Sequence, residues 1–322
     1  MKPFSNVVEY YYNTLHKEVE KLEKKRQKIG FRVVLYSLFA LLITVVALSL
    51  LYKNTKTFEL EYIFFAGAFL AAVYGIIYKF LTKDYALEFK YKVIKPLVEH
   101  IDSNLRYSVV GMVAESSFKE AKVTTQTIDR YQGDDYVSGI INGVKLSFCD
   151  LLVEKKEEHS KTNNTYVTLF QGIFLESEFP KHFHSKTYVY PDKLAKAFGS
   201  QIGDFLQSNP FGSAKLLKLD NPEFEHYFKV YGESAIEARY ILSHSLMQKI
   251  VHFRKKVAHD ITLSFVGGRF YLAIAYNKPS LEAAVFNSLL DYKVAKEYIE
   301  TLYFAISVVE ELALNKKLWS KI

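Results

Sequence analysis

The sequence predicts an α+β membrane protein: an N-terminal helix and a two-span transmembrane helical hairpin, then a cytoplasmic mixed domain. That domain is built of antiparallel hairpins and helices and ends in a long C-terminal helix. Three observations predict it. Two uncharged apolar runs lie close together near the N-terminus, and basic residues crowd their outer flanks. Beyond residue 101, short strand-like runs alternate with tight turns, and helical stretches fall between and after them.

Residues 1–32 read as a juxtamembrane amphipathic helix. Val8, Tyr12, Leu15, Val19, Leu22, Arg26, Ile29 and Val33 follow alternating steps of four and three, with Arg26 the only polar member. Charged residues fill the other faces. Residues 33–52 form the first span: twenty residues without a charge, long enough to cross a hydrocarbon core of about 30 Å. Thirteen are Leu, Ile, Val or Phe. At roughly 0.3–0.4 kcal/mol each, they favour insertion by about 4–5 kcal/mol.

Residues 53–61 make a short external loop with two basic and two acidic side chains. The second span, 62–78, is shorter and carries Gly67, Ala71 and Gly75 on one face, where small residues let a helix approach closely. Ala40 and Thr44 offer a matching shallow face on the first span. The expectation is that these small residues seat the two spans of one chain together, with self-association as the second use. Residues 79–101 read as a post-membrane helix that Pro96 kinks or ends.

Charge fixes the orientation. Residues 1–95 hold 15 basic and 8 acidic side chains, whereas the remaining 227 hold 27 of each. The whole net charge of +7 therefore sits around the spans. Basic residues before the first span and after the second place both termini in the cytoplasm. A balanced domain gives no electrostatic footprint for nucleic acid. A single cysteine, Cys149, excludes a disulfide scaffold.

Residues 102–322 form the cytoplasmic α+β domain. Strand runs at 136–141 and 144–148 flank Asn142-Gly143, a dipeptide suited to a tight hairpin because both positions accept positive φ. Further strands are expected at 165–175, 187–190 and 226–231. A helix begins near Ser234, with Glu237 completing a capping box, and another spans 243–256. A last hairpin, 261–266 and 269–275, turns at Gly267-Gly268. The C-terminal helix carries a second heptad stripe: Ala295, Ile299, Leu302, Ile306, Val309 and Ala313. Each stripe could serve oligomerisation, but the packing of a helix within one chain is the expected use.

The run from Gly133 through Asp134, Asp135, Tyr136, Val137 and Ser138 to Gly139, followed by Asn142-Gly143-Val144 and Phe148, resembles a bacterial membrane-protein family. The family is catalogued as domain of unknown function 3137. The resemblance extends to Phe170-Gln171-Gly172-Ile173-Phe174 leading into Phe179-Pro180-Lys181, and to Glu237-Ala238-Arg239-Tyr240-Ile241-Leu242. It continues through Ser264-Phe265-Val266-Gly267-Gly268, Tyr271-Leu272-Ala273-Ile274, and Glu310-Glu311-Leu312 with Leu314-Asn315 and Trp319. It departs at Ser243-His244, where Thr-Pro is expected. The resemblance implies a membrane-anchored cytoplasmic domain in the bacterial inner membrane, and supplies no activity and no catalytic residues.

No P-loop, GxGxxG after a strand, GxSxG or HExxH occurs. His182 and His184 are two apart and could share an ion on a strand, but no third ligand is near in sequence. Asp134 and Asp135 could bind a cation or simply make a turn. Arg239, close to Glu233 and Glu237, reads as a structural ion pair or an anion contact. These five residues are the ligand or interaction candidates, with no cofactor and no metal site expected. The expected function is an inner-membrane protein whose domain binds a partner protein, a lipid headgroup or a small ligand. The alternative is a membrane-anchored enzyme, of hydrolase type, assembled from Asp134, Asp135, His182 and His184.

Overall fold

The computed structural model describes residues 1–56, 60–160, 163–179, 183–193, 214–257, 259–276, 279 and 281–314. The chain divides into two compact units. One comprises Val8–Pro96 with Glu282–Glu297; the other comprises Met1–Val7, Leu97–Leu281 and Tyr298–Ile322.

The first unit is helical. After α1 (Phe4–Glu9) and a π-helical turn at Tyr10–Thr14, α2 runs without a break from His16 to Thr55. The part of the expected juxtamembrane helix from His16 onward and the first span are therefore one 40-residue helix, about 60 Å long, while the residues before it form α1 and the π-helical turn. From Leu15 onward the heptad stripe is buried: Leu15, Val19, Leu22, Ile29 and Val33 are all 6% exposed or less, whereas before the π-helical turn Val7 and Tyr11 are buried in place of the expected Val8 and Tyr12. Lys56, in the left-handed region, ends α2 and donates its amide to the Tyr52 carbonyl at 2.8 Å. The next helix, α3, spans Leu60–Phe89. Both helices are long and apolar enough to cross a membrane, and their apolar windows are almost entirely exposed. The core helix of a soluble protein would be covered instead.

The seam between α2 and α3 corrects one expectation. Ala40 and Thr44 do lie on it, together with Ser37 and Leu48. On α3, however, Ala66, Leu70, Val73 and Ile77 are among the half-buried positions, while Gly67, Ala71 and Gly75 are exposed. A Cβ added to Gly67 or Gly75 meets nothing within 4 Å. The small-residue stripe does not seat the two spans of one chain. The apolar faces of α3 are similar in hydropathy, so the sequence pattern alone could not say which one turns inward.

Pro96 does not end its helix. A π-helical turn at Lys90–Ile94 precedes it, and α4 continues over Lys95–Ile101. The π turn changes the hydrogen-bond register just where the proline lacks its own N–H.

The second unit carries a nine-stranded sheet in the order β1-β2-β3-β4-β9-β8-β5-β7-β6, every described pairing being antiparallel. The strands are β1 (Leu105–Val110), β2 (Arg130–Ile141), β3 (Val144–Ser160), β4 (Asn163–Glu178), β5 (Thr187–Pro191), β6 (Lys215–Leu217), β7 (Phe228–Gly232), β8 (Asp260–Val266) and β9 (Arg269–Ala275). Asn142 and Gly143, at φ 49° and 78°, turn β2 into β3 as expected. Gly267 and Gly268 do the same between β8 and β9, at φ 59° and 74°. Along β8, Ile261 to Val266 are all buried, so this strand is covered on both faces. Helix α5 (Glu115–Glu120) lays Phe118 edge-on against Phe174, with ring centres 5.1 Å apart; Phe174 in turn stacks on Tyr271.

The strand expected at 226–231 begins only at Phe228. Pro222–Tyr227 is a short helix, α6, whose Asn221 side chain accepts the Phe224 amide at 3.0 Å and whose first residue is proline. That cap outweighs the strand character of the residues it precedes. Helices α7 (Ala235–Ile241), α8 (His244–Val257) and α9 (Tyr292–Leu314) complete the described elements. Ser243 supplies the N-terminal cap of α8, accepting the Leu246 amide at 3.3 Å, so the departure from Thr-Pro leaves the helix start intact. Ala295, Ile299, Leu302, Ile306 and Val309 are buried on α9, while the side chain of Ala313 lies outside the described residues.

Candidate functional site

Asp134 ends a regular stretch of the β2–β3 ladder and Asp135 opens a β-bulge with Tyr136, so the pair lies within a strand rather than in a turn before it. The β2–β3 register pairs Asp134 with Asp150 and resumes at Val137 opposite Phe148, leaving two residues against one. Asp135 takes the left-handed region at φ 52° and is fully buried, and its carboxylate accepts the Tyr107 hydroxyl from β1. The flanking glycine of this motif is structural. A Cβ on Gly139 would lie 2.4 Å from the Asn104 carbonyl oxygen, so β1 closes on β2 only because that side chain is absent. Asp134 and Asp135 are adjacent oxygen donors of the kind a hard cation takes, with Tyr107 already engaging one of them.

His184 lies on the segment before β5, is exposed, and its amide donates to Glu237 at 3.4 Å. His182 lies outside the described residues. Glu237 also accepts the Ser185 amide at 2.9 Å and the Ser185 hydroxyl. The hydroxyl bond, followed by the two amides, outweighs the desolvation and holds this carboxyl below the usual carboxylate range. Ser234 accepts the Glu237 amide at 3.3 Å, so half of the expected capping box forms. The Glu237 side chain reaches across to the segment before β5 instead of back to the Ser234 amide.

Arg239 sits on the exposed side of α7. It donates to the Lys218 carbonyl at 3.1 Å and approaches Asp220 at 3.6 Å, not Glu233 or Glu237. This exposed pair contributes on the order of 1 kcal/mol or less.

The sheet order decides whether these candidates converge. Between β2, which holds Asp134 and Asp135, and β5, which His184 precedes, run β3, β4, β9 and β8. Five strand spacings of about 4.8 Å separate the two sides by roughly 24 Å. The structure does not bring the Asp pair and His184 together. Cys149 offers no nucleophile either: burial pushes its thiol up to about 12, and its sulfur accepts the Val113 amide at 3.4 Å.

Two concavities in this unit escaped sequence reasoning. One is an aromatic groove of about 190 Å³ between α8 and α9, lined by His252, Phe253, Tyr303 and Phe304 with Phe4 across it. Phe4 meets Tyr303 edge-on at 5.3 Å. The other, about 370 Å³, lies against the residues that follow α5. Neither carries a local motif: their linings are assembled from helix faces and a loop whose residues are individually ordinary.

The chain thus pairs a helical hairpin long enough to span a bilayer with a large antiparallel sheet unit. Residues 168–314 match the model of the family described as "Protein of unknown function (DUF3137)", which bears out the resemblance over those residues. The Gly133–Gly139 run lies upstream of the matched span, and Asn315 and Trp319 lie beyond it. No curated protein matches the chain. Among solved structures, the crystal structure of the mycobacterial trehalose monomycolate transport factor A, TtfA, is similar at 12% identity and a TM-score of 0.32. That alignment covers 65% of this chain and 86% of the other.

Proposed function

We propose that this is a two-pass inner-membrane protein with both termini in the cytoplasm, whose sheet unit is a binding or scaffold domain. Its ligand would be a partner protein, a lipid headgroup or a small ligand. The observation that carries the membrane half is the apolar band of α2 and α3. Residues such as Phe39, Leu42, Leu50, Phe64, Phe69 and Ile76 are 56–73% exposed, a surface that hydrocarbon covers at no cost and water does not. Lys and Arg gather at one end of both helices, which supports the cytoplasmic placement. Self-association through Gly67, Ala71 and Gly75 fits their exposure.

Binding is favoured over catalysis because the residues an enzyme would use do not meet. The acids and His184 stand about five strands apart, and the thiol is buried and protonated. The test is a pull-down with the intact protein extracted in detergent, compared with the same protein carrying substitutions in the sheet unit. Capture of a defined partner or ligand that those substitutions abolish is the expected result. Turnover of a generic ester or phosphoester substrate, lost on Asp135→Asn, would contradict the binding reading.

A further inference from the structure

The segment 282–290, which precedes α9, is tied to the first helical unit by polar contacts along its length. Lys90 pairs with Glu282 at 2.7 Å, and the Tyr85 hydroxyl donates to the Ala284 carbonyl at 2.7 Å. Arg26 donates to the Val285 carbonyl at 2.7 Å, and the Leu289 amide donates to Glu23 at 3.0 Å. The Tyr11 hydroxyl donates to the Leu289 carbonyl at 3.0 Å. A strap held this way has the carbonyls of Ala284, Val285 and Leu289 satisfied, which is what backbone bordering hydrocarbon requires. Ala283, Val285 and Leu289 turn inward and are buried.

Phe286 breaks that pattern. It follows a fastened residue and is nevertheless 57% exposed. Its ring stacks on Tyr78 at 6.4 Å, and Tyr78 stacks on Tyr74 at 5.9 Å. Tyr78 closes the second apolar run, so the three rings lead from the span onto the strap. On α2, a Cβ added to Gly30 would lie 3.6 Å from the Val285 carbonyl oxygen. Gly30 precedes the first span by about 5 Å of helix. The basic ends of both spans therefore meet the strap at Val285 and Phe286.

The surroundings have the chemistry of a bilayer border. Phe31 and Phe80, at the same ends of α2 and α3, are 68% and 82% exposed. Lys28, Arg32, Lys79 and Lys83 are exposed close to them in sequence. Aromatic rings collect where acyl chains meet headgroups, and nearby cations reach outward to anionic lipid. Leu290 supplies the contrast. It is 43% exposed, but its neighbour Leu289 is held by Glu23, two turns of α2 farther from the span than Gly30. Those two turns are about 10 Å.

We propose that Phe286 is a third membrane contact of this chain, seated beside Tyr78 at the border between headgroups and acyl chains. Its partner is the bilayer that α2 and α3 cross. The proposal rests on the membrane reading above and goes beyond it, because it brings a residue from far along the sequence onto the lipid surface.

The full chain carrying Trp319→Phe, which removes its one tryptophan, is reconstituted into vesicles of zwitterionic and anionic phospholipid. Single tryptophans are then introduced by Phe286→Trp, by Leu290→Trp and, in the middle of the first span, by Leu42→Trp. Quenching by lipids brominated near the headgroup is compared with quenching by lipids brominated deep in the acyl chains. Phe286→Trp should show blue-shifted emission that is lost mainly to the shallow bromines. Leu42→Trp should lose its emission mainly to the deep ones, and Leu290→Trp to neither. A nitroxide on Phe286→Cys, read by its access to oxygen over a water-soluble relaxant, gives the same answer should tryptophan disturb the Tyr78 stack. Buried Cys149 stays unlabelled in that measurement. If Leu42→Trp responds while Phe286→Trp is unquenched, or Leu290→Trp is quenched equally, this contact falls and the membrane reading stands. If Leu42→Trp is itself unquenched, the membrane reading falls and takes the proposal with it.

Discussion

Glu23 lies on α2 with its side chain 6% exposed, and its carboxylate accepts from two of the three Arg26 nitrogens, Nη2 at 2.7 Å and Nε at 2.8 Å, and from the Leu289 amide at 3.0 Å. Arg26 passes its remaining donor to the Val285 carbonyl at 2.7 Å, while Tyr11 and Tyr85 hold the carbonyls of Leu289 and Ala284. A few side chains thus fasten the segment 284–289 within the helical unit. Burial pushes the Glu23 carboxyl up, but Arg26, Leu289 and Gln27 outweigh it and hold it below the usual carboxylate range. Because the folded value is depressed, its stabilisation is complete above the unfolded pKa and is lost as pH falls through the folded one. Glu23→Ala should cost about 3 kcal/mol, since it strands a half-buried guanidinium and the Leu289 amide. Thermal melts of the full chain in detergent, from neutral pH to about pH 3, should show a loss of stability that Glu23→Gln reduces. Cys149 gives a second check at this scale. With its thiol pushed up to about 12, it should resist maleimide in the native protein at neutral pH and react only at the rate of unfolding.

At the scale of elements, the seam between α2 and α3 makes the clearest prediction. Ala40→Leu inserts bulk at a packed position, where Thr44 already back-bonds to the Ala40 carbonyl at 2.9 Å. It should destabilise the hairpin by about 1–3 kcal/mol. Gly75→Leu projects from an exposed face and should stay within about 0.5 kcal/mol. Melting temperatures in detergent distinguish them, and an equal effect of the two would place the seam elsewhere. The same elements show what the sequence could reveal. Hairpins at Asn142-Gly143 and Gly267-Gly268 were legible because their turns need positive φ, which few residues supply cheaply. The heptad stripes were legible from Leu15 to Val33 and from Ala295 to Val309 because burial follows helical period, but not at Val8 and Tyr12, where the π-helical turn moves burial to Val7 and Tyr11. The α6 helix was not, since its signal is one cap, Asn221-Pro222, set against a strand-like run. Nor was the reach of Glu237 to Ser185, which joins segments 52 residues apart. The cavity beside α5 is lined by one local run, Phe118–Ile128, but the β5 and β8 hydroxyls that hold the Lys122 and Ala121 carbonyls lie far along the chain.

For the molecule as a whole, the distribution of charge and apolar surface is the central fact. The net charge of +7 sits within residues 1–95, and the remainder is neutral. The most exposed apolar side chains are concentrated on α2 and α3. Both belong to two helices long and apolar enough to cross a membrane, and the proposed orientation follows from their basic flanks. Cysteine accessibility tests this most directly, because the native thiol is silent. Lys56→Cys, at the tip after α2, and Ser116→Cys, exposed on α5, are each expressed in intact cells and treated with a membrane-impermeant maleimide. Lys56→Cys should be labelled at once, and Ser116→Cys only after the membrane is permeabilised. Labelling of Ser116→Cys in intact cells, or recovery of both variants in the soluble fraction, would contradict the account.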